Sequence, residues 1–502
     1  MEKLNKLFKY FVYLAPGVLF FSYQPLMHFG SDSSMNFELS VPLVWLILFD
    51  LLVFVMMIKK KVLFRDFGKW WVWLLFPVWL LLSVFWSLNI VRGLLTVGVL
   101  WLLYFAVYGI WRFRNLFDKE FWYVFWKWFF GASLVVCGWC VVQCILDLCG
   151  VGREYTLMCA GCTYSMFGFP HPNGFAIEPQ FMGNLLLAPT LVAAWLIICK
   201  KNRSDIFQTH VQNPCRHRGF GANSRLARLR NVFKTSLPVL FAVFSATLFL
   251  TFSRGAIYAF IVGLLVMSVW VVVRERKKWK DVLKRVGIVW GVVVLSFVVC
   301  LNVQGLMAEF GPTDDTYKSG ISKVINHLSL GAINVDDSPV TDEKLEDNRE
   351  EPVENIVENS EEKTEIEQAV YDGYVAESTD TRLRLSGAAV EVWSKDFTNA
   401  MFGVGIGGAG QALYVNNLSP APKEIVQNQY ASLLLETGLV GISLLVLTIV
   451  FAVKVVLRYD SKVMMISLMV AYAISLCFFS GLPNALHIYL LPAILLFVRC
   501  LW

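Results

Sequence analysis

Charge is what this sequence has least of. Only 16% of its 502 residues are Asp, Glu, Lys or Arg, and 57% are hydrophobic, with a mean hydropathy of +0.57. Soluble domains carry roughly 25% charged and about 45–50% apolar residues, so a soluble enzyme and a disordered chain are both excluded. Cysteine is sparse, eleven spread along the chain, which is not the framework of a disulfide-stapled secreted module. A large basic excess is missing too: a net charge of +6 over this length argues against a nucleic-acid binder. No internal repeat is visible. No small-x-small cleavage site follows the first apolar run, which continues Tyr23-Gln24-Pro25-Leu26, so that run reads as a retained anchor.

Metal-ligand spacing is also lacking. Cys159-x-x-Cys162 has no second pair and is weak evidence for a metal, although a disulfide is possible in this region. Cys137, Cys140 and Cys144 stand at helical spacing in an apolar run and read as packing residues. His28, His171, His327 and His487 are scattered, and Asp314-Asp315 and Asp336-Asp337 read as solvated acids. We therefore expect neither a metal nor a cofactor.

Long apolar runs are plentiful. A helix needs roughly 17–25 apolar residues to cross a bilayer, and twelve candidate runs stand near 8–27, 41–58, 70–87, 91–111, 121–147, 177–199, 236–252, 255–273, 286–303, 430–457, 463–480 and 486–502. With a cytoplasmic N-terminus, 32 of the 44 Lys and Arg fall on the cytoplasmic side and 12 on the other. That is the positive-inside pattern, and it predicts an all-α polytopic membrane protein with both termini cytoplasmic. Helices one to nine occupy 1–303, an exoplasmic loop spans 304–429, and helices ten to twelve fill 430–502. The loop holds 23 of the 38 acidic residues, and its stretch 336–370 is Glu-rich without aromatics. Such a segment reads as a solvated, flexible insertion. The Trp-rich stretch around Trp70, Trp71, Trp73 and Trp86 is explained by an interfacial aromatic belt, and the basic segment 200–234 by orientation and lipid headgroups.

Few charges lie inside the apolar runs; Asp50, Lys127, Asp147 and Glu436 are the main ones. Polar chemistry gathers instead at the outer helix ends, which points to a site at the exoplasmic surface. Ser253-Arg254-Gly255 is a short turn between two apolar runs. A buried Arg there needs an anion, and a phosphate suits a guanidinium, which grips it with two parallel bonds; a snorkelling Arg at the interface is the alternative. Thr381-Arg382-Leu383-Arg384 precedes an apolar helical stretch, Gly387 to Trp393. Gly403-Val404-Gly405-Ile406-Gly407-Gly408-Ala409-Gly410 lacks the lysine of a nucleotide-binding loop and reads as a turn permitting close backbone approach. Gln427-Asn428-Gln429-Tyr430 opens an apolar run that continues Glu436-Thr437-Gly438-Leu439-Val440-Gly441.

In this order the segments resemble the O-antigen ligase and O-antigen polymerase family of bacterial membrane glycosyltransferases. Ser253-Arg254-Gly255, Arg382 with Ala388-Ala389 and Trp393, the Gly403–Gly407 run, Asn428 and Tyr430, and Glu436-Thr437-Gly438-Leu439-Val440-Gly441 carry the likeness. Leu82-Ser83-Val84-Phe85-Trp86-Ser87 and Gly168-Phe169-Pro170-His171-Pro172-Asn173 fit as well. The resemblance covers roughly residues 70–480. It implies a fold of the GT-C type and transfer of a glycan from an undecaprenyl-diphosphate carrier to an acceptor hydroxyl, on the outer face of the inner membrane.

Under that resemblance Arg254 and Arg382, with Arg384 in reserve, would clamp the diphosphate without a metal. Asn428 and Tyr430 would position sugar or phosphate. Where the family has His before Asn, this chain has Gln427, which can orient a hydroxyl but cannot act as a base. Glu178 is then the first candidate for the base and His171 the second. Glu178 also has a plainer reading, as an acid favoured at a helix N-terminus beside Pro179. For Glu436 a structural role, holding a neighbouring helix, is the preferred reading. The rival functions are a polysaccharide or lipid transporter and a peptidoglycan polymerase of the shape-and-division type.

Overall fold

The computed structural model describes residues 1–21, 25–29, 37–61, 71–159, 162–163, 169–198, 222–310, 316–329, 381–422, 424–481 and 485–497. The acidic insertion 336–370 and the basic segment 200–221 lie outside them. Each of the twelve apolar segments carries a helix: α1 Glu2–Phe20, α2 Val41–Lys59, α3 Trp71–Ser83, α4 Ile90–Arg112, α5 Lys119–Leu148, α6 Pro179–Ile198, α7 Ala222–Leu250, α8 Arg254–Arg274 and α9 Trp279–Phe310. After the long loop come α14 Gln429–Val456, α15 Lys462–Ser475 and α16 Leu486–Leu495. The loop itself contributes α10 Tyr317–Leu328, α11 at residues 381–394, α12 Phe397–Phe402 and α13 Ala409–Val415.

Seven of these helices are long and apolar enough to cross a membrane: α2, α4, α5, α6, α8, α9 and α14. Trp71–Trp86, Ser236–Leu250, Lys462–Ser475 and Leu486–Leu495 are apolar but shorter. The all-α expectation needs one correction. Between α1 and α2 the chain forms a two-stranded antiparallel ribbon, β1 Pro25–Phe29 with β2 Phe37–Ser40. The two strands pair with Phe29 opposite Phe37 and His28 opposite Glu38.

Packing sorts the helices by how apolar they are all round. Most of α6 from Met182 to Trp195 is fully buried, as expected of a helix without a polar face inside a bundle. It packs against α7, α8 and α15. Small residues let the backbones close up: a side chain on Gly183 would lie 2.6 Å from Ala256 Cβ, and one on Gly263 would lie 3.0 Å from Ala471 Cβ. Conversely, Leu51 on α2 and Val294 and Leu295 on α9 stand exposed. Such an apolar surface is costly in water and ordinary in lipid.

Much of the aromatic content is core rather than belt. Phe121, Phe125 and Phe129 of α5 are completely buried and form a ladder with ring centroids 6.1 and 5.9 Å apart. Cys137, Cys140 and Cys144 are likewise buried on that helix.

Candidate functional site

A local device builds the turn before α8. Phe252 adopts φ 47°, a left-handed conformation that costs a bulky residue on the order of 1 kcal/mol or more. The reversal lets Arg254 open α8 directly behind its N-cap, Ser253. Arg254 is 92% buried, being only 8% exposed. A cation at a helix N-terminus opposes the helix dipole, whereas an anion there is favoured twice, by the dipole and by the guanidinium.

His171 is fixed from the other side. Its loop is tied to α5 by the buried Gln143, whose amide donates to the carbonyls of Thr156 at 2.8 Å and Gly174 at 3.0 Å and accepts from Gly174 N at 2.8 Å. Asn173 donates to the carbonyls of Leu157 and Ala176. Cys159 and Cys162 form a disulfide, and the Cys162 carbonyl accepts from the His171 backbone N–H at 2.9 Å. Held this way, the His171 ring stacks on Phe169 at 4.7 Å and packs against Phe252 at 5.6 Å.

His327 completes the cluster, and the sequence did not mark it as a site residue. It meets His171 edge-on at 5.4 Å between ring centroids, and its Nε2 lies 3.2 Å from the Phe252 carbonyl oxygen. A carbonyl only accepts, so Nε2 carries the proton and the neutral ring keeps its lone pair on Nδ1. Burial depresses the His327 pKa to about 3, and the Arg254 and Arg382 cations push in the same direction. Burial likewise holds His171 well below its usual value, helped by His327 and Arg254. Both imidazoles are therefore neutral at physiological pH.

Glu178 sits at the rim, just ahead of α6, accessible at its surface but crowded by protein. Burial raises its carboxyl pKa, and the Arg382 guanidinium pulls the other way. Arg254, Arg382, His171 and Glu178, four residues singled out from sequence, thus gather at one end of the bundle. Arg384 does not join them. It is exposed on α11, two residues and about 200° round the helix from Arg382.

Gln427, Asn428 and Tyr430 lie at the start of α14. Gln427 is half-buried. The Asn428 side-chain oxygen caps the helix, accepting from Tyr430 N at 3.0 Å and Ala431 N at 3.2 Å. The Tyr430 hydroxyl donates to the Ala473 carbonyl at 2.8 Å. A strap after α15 joins this helix end to the others: Leu476 O accepts from Gln429 N at 3.0 Å, and Phe478 O accepts from the Gln180 amide at 2.7 Å. Phe478 also packs against Gly255. The N-termini of α6, α8 and α14 therefore meet around residues 476–480.

The glycine-rich run has a different task. Gly403, Gly405 and Gly407 all have positive φ, and the run threads between the α3–α4 turn and α14. Ser87 Oγ donates to Ile406 O at 2.8 Å, while Val404 N and Gly405 N donate to the carbonyls of Leu435 and Glu436 at 2.9 and 3.0 Å. The Glu436 carboxylate accepts from Gly407 N at 3.0 Å and Ala409 N at 3.4 Å. A side chain on Gly405 would lie 2.3 Å from Ser87 Cα. Gly438, with φ 62°, kinks α14 directly after this clasp. Glu436 thus holds a loop rather than a helix.

Among the described residues, no three or more His, Cys, Asp and Glu side chains cluster as metal ligands would. Arg254 acts on both imidazoles and Arg382 on His327.

The fold and the site together define a multi-pass helical membrane protein whose arginines, imidazoles and a carboxyl converge where helix N-termini meet. The family model for O-antigen ligase matches residues 239–446, and that stretch of the chain is similar to the O-antigen ligase family. The matched stretch runs from α7 to α14 and includes Arg254, His327, Arg382, the glycine run and Glu436; His171 and Glu178 lie before it. No curated protein matches the chain.

Proposed function

We propose that the protein transfers a glycan from an undecaprenyl-diphosphate carrier to an acceptor hydroxyl at the outer face of a bacterial cytoplasmic membrane, as a ligase or a polymerase. On this reading twelve helices cross the membrane, both termini are cytoplasmic, and the architecture is of the GT-C type. The observation that carries the reading is that buried Arg254, at a helix N-terminus, acts on the His171 and His327 imidazoles, while Arg382 acts on His327 and on the Glu178 carboxyl.

The acceptor oxygen attacks the anomeric carbon while the bond from that carbon to the diphosphate oxygen breaks. The departing undecaprenyl diphosphate gains negative charge, and Arg254 and Arg382 stabilise it as it forms. The acceptor's proton passes to Glu178, whose raised pKa makes it a stronger base than an ordinary carboxylate. His171, stacked and neutral, is the second candidate. Gln427 and Tyr430 orient the substrate beside the strap, and Asn428 sets the helix end that carries them. No metal enters this scheme.

A transfer assay with a lipid-diphosphate-linked glycan tests the reading. Arg254→Ala and Arg382→Ala are expected to lose about 10²-fold or more in turnover, Glu178→Gln to follow them, and Arg384→Ala to stay near wild type. Equal membrane levels are the control. Full activity in both arginine variants would sink the diphosphate clamp and favour a transporter.

A further inference from the structure

One groove at the loop-covered end of the bundle is not used by this mechanism. It has a volume of about 690 Å³, within the range of small-ligand sites. Trp79, Trp86 and Phe402 line it together with Thr398, Asn399 and Asn416. Trp79 sits 5.6 Å from Trp86 and 6.1 Å from Phe402 between ring centroids. Trp86 and Phe402 are each 40% exposed.

This is not how a membrane-belt tryptophan behaves. A belt indole keeps its body in lipid and its N–H among the headgroups. Trp79 instead donates its N–H inward, to the Thr437 carbonyl at 3.2 Å. The lining also carries carboxamides that are held in place: the Asn416 oxygen accepts from Lys395 Nζ at 2.7 Å and its amide donates to the Ala412 carbonyl at 2.8 Å, and the Asn399 amide donates to Asp396 at 2.8 Å. Each amide nitrogen carries a second hydrogen that can serve a hydroxyl. Flat apolar rings beside ordered amides match a pyranose, whose C–H face is apolar and whose rim is hydroxylated.

Position agrees with chemistry. Thr437 is eight residues along α14 from Gln429, about 12 Å at helical rise, and Gln429 is held by the strap that also binds the starts of α6 and α8. A sugar chain anchored at the arginines and running along the first turns of α14 would reach the groove.

We infer that the groove lined by Trp79, Trp86, Phe402, Asn399 and Asn416 is a saccharide subsite for the sugars distal to the reacting bond. The inference rests on the glycosyltransferase reading for its purpose, though not for its binding chemistry. The probe is the lipid-free oligosaccharide released by mild acid from the host's own lipid-linked glycan. Its binding to the full-length protein, in a detergent without a sugar headgroup, is followed by saturation-transfer NMR. Trp86→Ala is expected to weaken binding about tenfold, Trp86→Phe to recover most of it, and Trp128→Ala, an exposed tryptophan on α5, to change nothing. Arg254→Ala, which removes the proposed diphosphate contact and does not line the groove, retains binding.

In the transfer assay Trp86→Ala raises KM with kcat unchanged. A rise for the lipid-linked donor assigns the groove to the donor glycan, and a rise for the acceptor assigns it to the acceptor. If wild type transfers glycan but Trp86→Ala matches it in binding and in both KM values, the subsite is wrong and the enzyme reading stands. If wild type transfers nothing yet binds the oligosaccharide through Trp86, the subsite stands and the enzyme reading falls.

Discussion

Replacing Glu436 separates a structural motif from a catalytic one. Its carboxylate is the acceptor for Gly407 N at 3.0 Å and for Ala409 N at 3.4 Å. Glu436→Ala leaves both amides buried without an acceptor, at about 1–3 kcal/mol each. The second bond is at the long limit of hydrogen-bond geometry, so the total falls toward about 2–4 kcal/mol. Glu436→Gln keeps a carbonyl oxygen in the same place and loses only the charge. If Glu436 holds the loop, the Ala variant melts at lower temperature and loses transfer in step, while the Gln variant stays close to wild type in both. Gly405→Ala should copy the Ala phenotype without touching any charge, because its new methyl collides with Ser87. The assay pairs size-exclusion profiles after heating in detergent with glycan transfer at a permissive temperature. A Glu436→Gln protein that melts like wild type yet transfers nothing would falsify the clasp and put the carboxylate in the chemistry.

Three further outcomes are expected. Asn428→Ala removes a helix cap worth about 1 kcal/mol, so it should lower the melting temperature modestly, with Asn428→Ser restoring it; a silent melt with abolished transfer would instead make the side chain a substrate contact. Transfer should fall on the acid side at a pH above the ordinary carboxylate range, because Glu178 must be ionised and burial raises its pKa. Arg382 opposes that rise, so the residual activity of Arg382→Gln should lose its acid limb at higher pH still, and an unmoved limb would discharge Glu178 as base. For His327 the folded pKa lies far below the unfolded value near 6.5, so stability is complete above about pH 6.5 and is lost as the unfolded chain takes up a proton. At pH 5 the loss from this group is about 2 kcal/mol; His327→Phe should flatten the melting curve's dependence on pH between 7.5 and 5, which an unaltered slope would contradict.

How legible all this was in the sequence varies with the physics involved. Helices were legible because crossing a bilayer demands long apolar runs; only their ends moved, as where Trp279–Phe310 extends beyond the expected 286–303 at both ends. The ribbon at Pro25–Phe29 was missed because two short strands leave little periodic signal. Arg254 and Arg382 stood out through the cost of placing a guanidinium in apolar surroundings. His327 did not, since 73 residues separate it from Arg254 and nothing local to it is unusual. A signal was present all the same: Gly320, Lys323, Val324 and His327 recur at helical spacing, and this is the buried face of α10. Reading that face as one docked on the bundle, rather than as part of a solvated loop, would have placed a second imidazole near the site.

The motif set divides once it is seen in three dimensions. Ser83, Ser87, the Gly403–Gly407 run and Glu436 exchange hydrogen bonds or backbone contacts with one another, and Gly438 packs against Met401 and Phe402 just before the run. His171, Glu178, Arg254, His327 and Arg382 make the other group, tied by ring contacts and charge. The first turns of α14 connect the two, capped by Asn428 at one end and broken by Gly438 at the other. A kinked half-helix of this kind needs an anchor at each end, or its N-terminus would wander relative to the α6 and α8 starts. The clasp supplies one anchor and the strap at Leu476 the other. On the proposed reading the glycine and glutamate motifs serve transfer through the position they impose on Gln427 and Tyr430, which is why sequence alone could not sort positioning from chemistry among these residues.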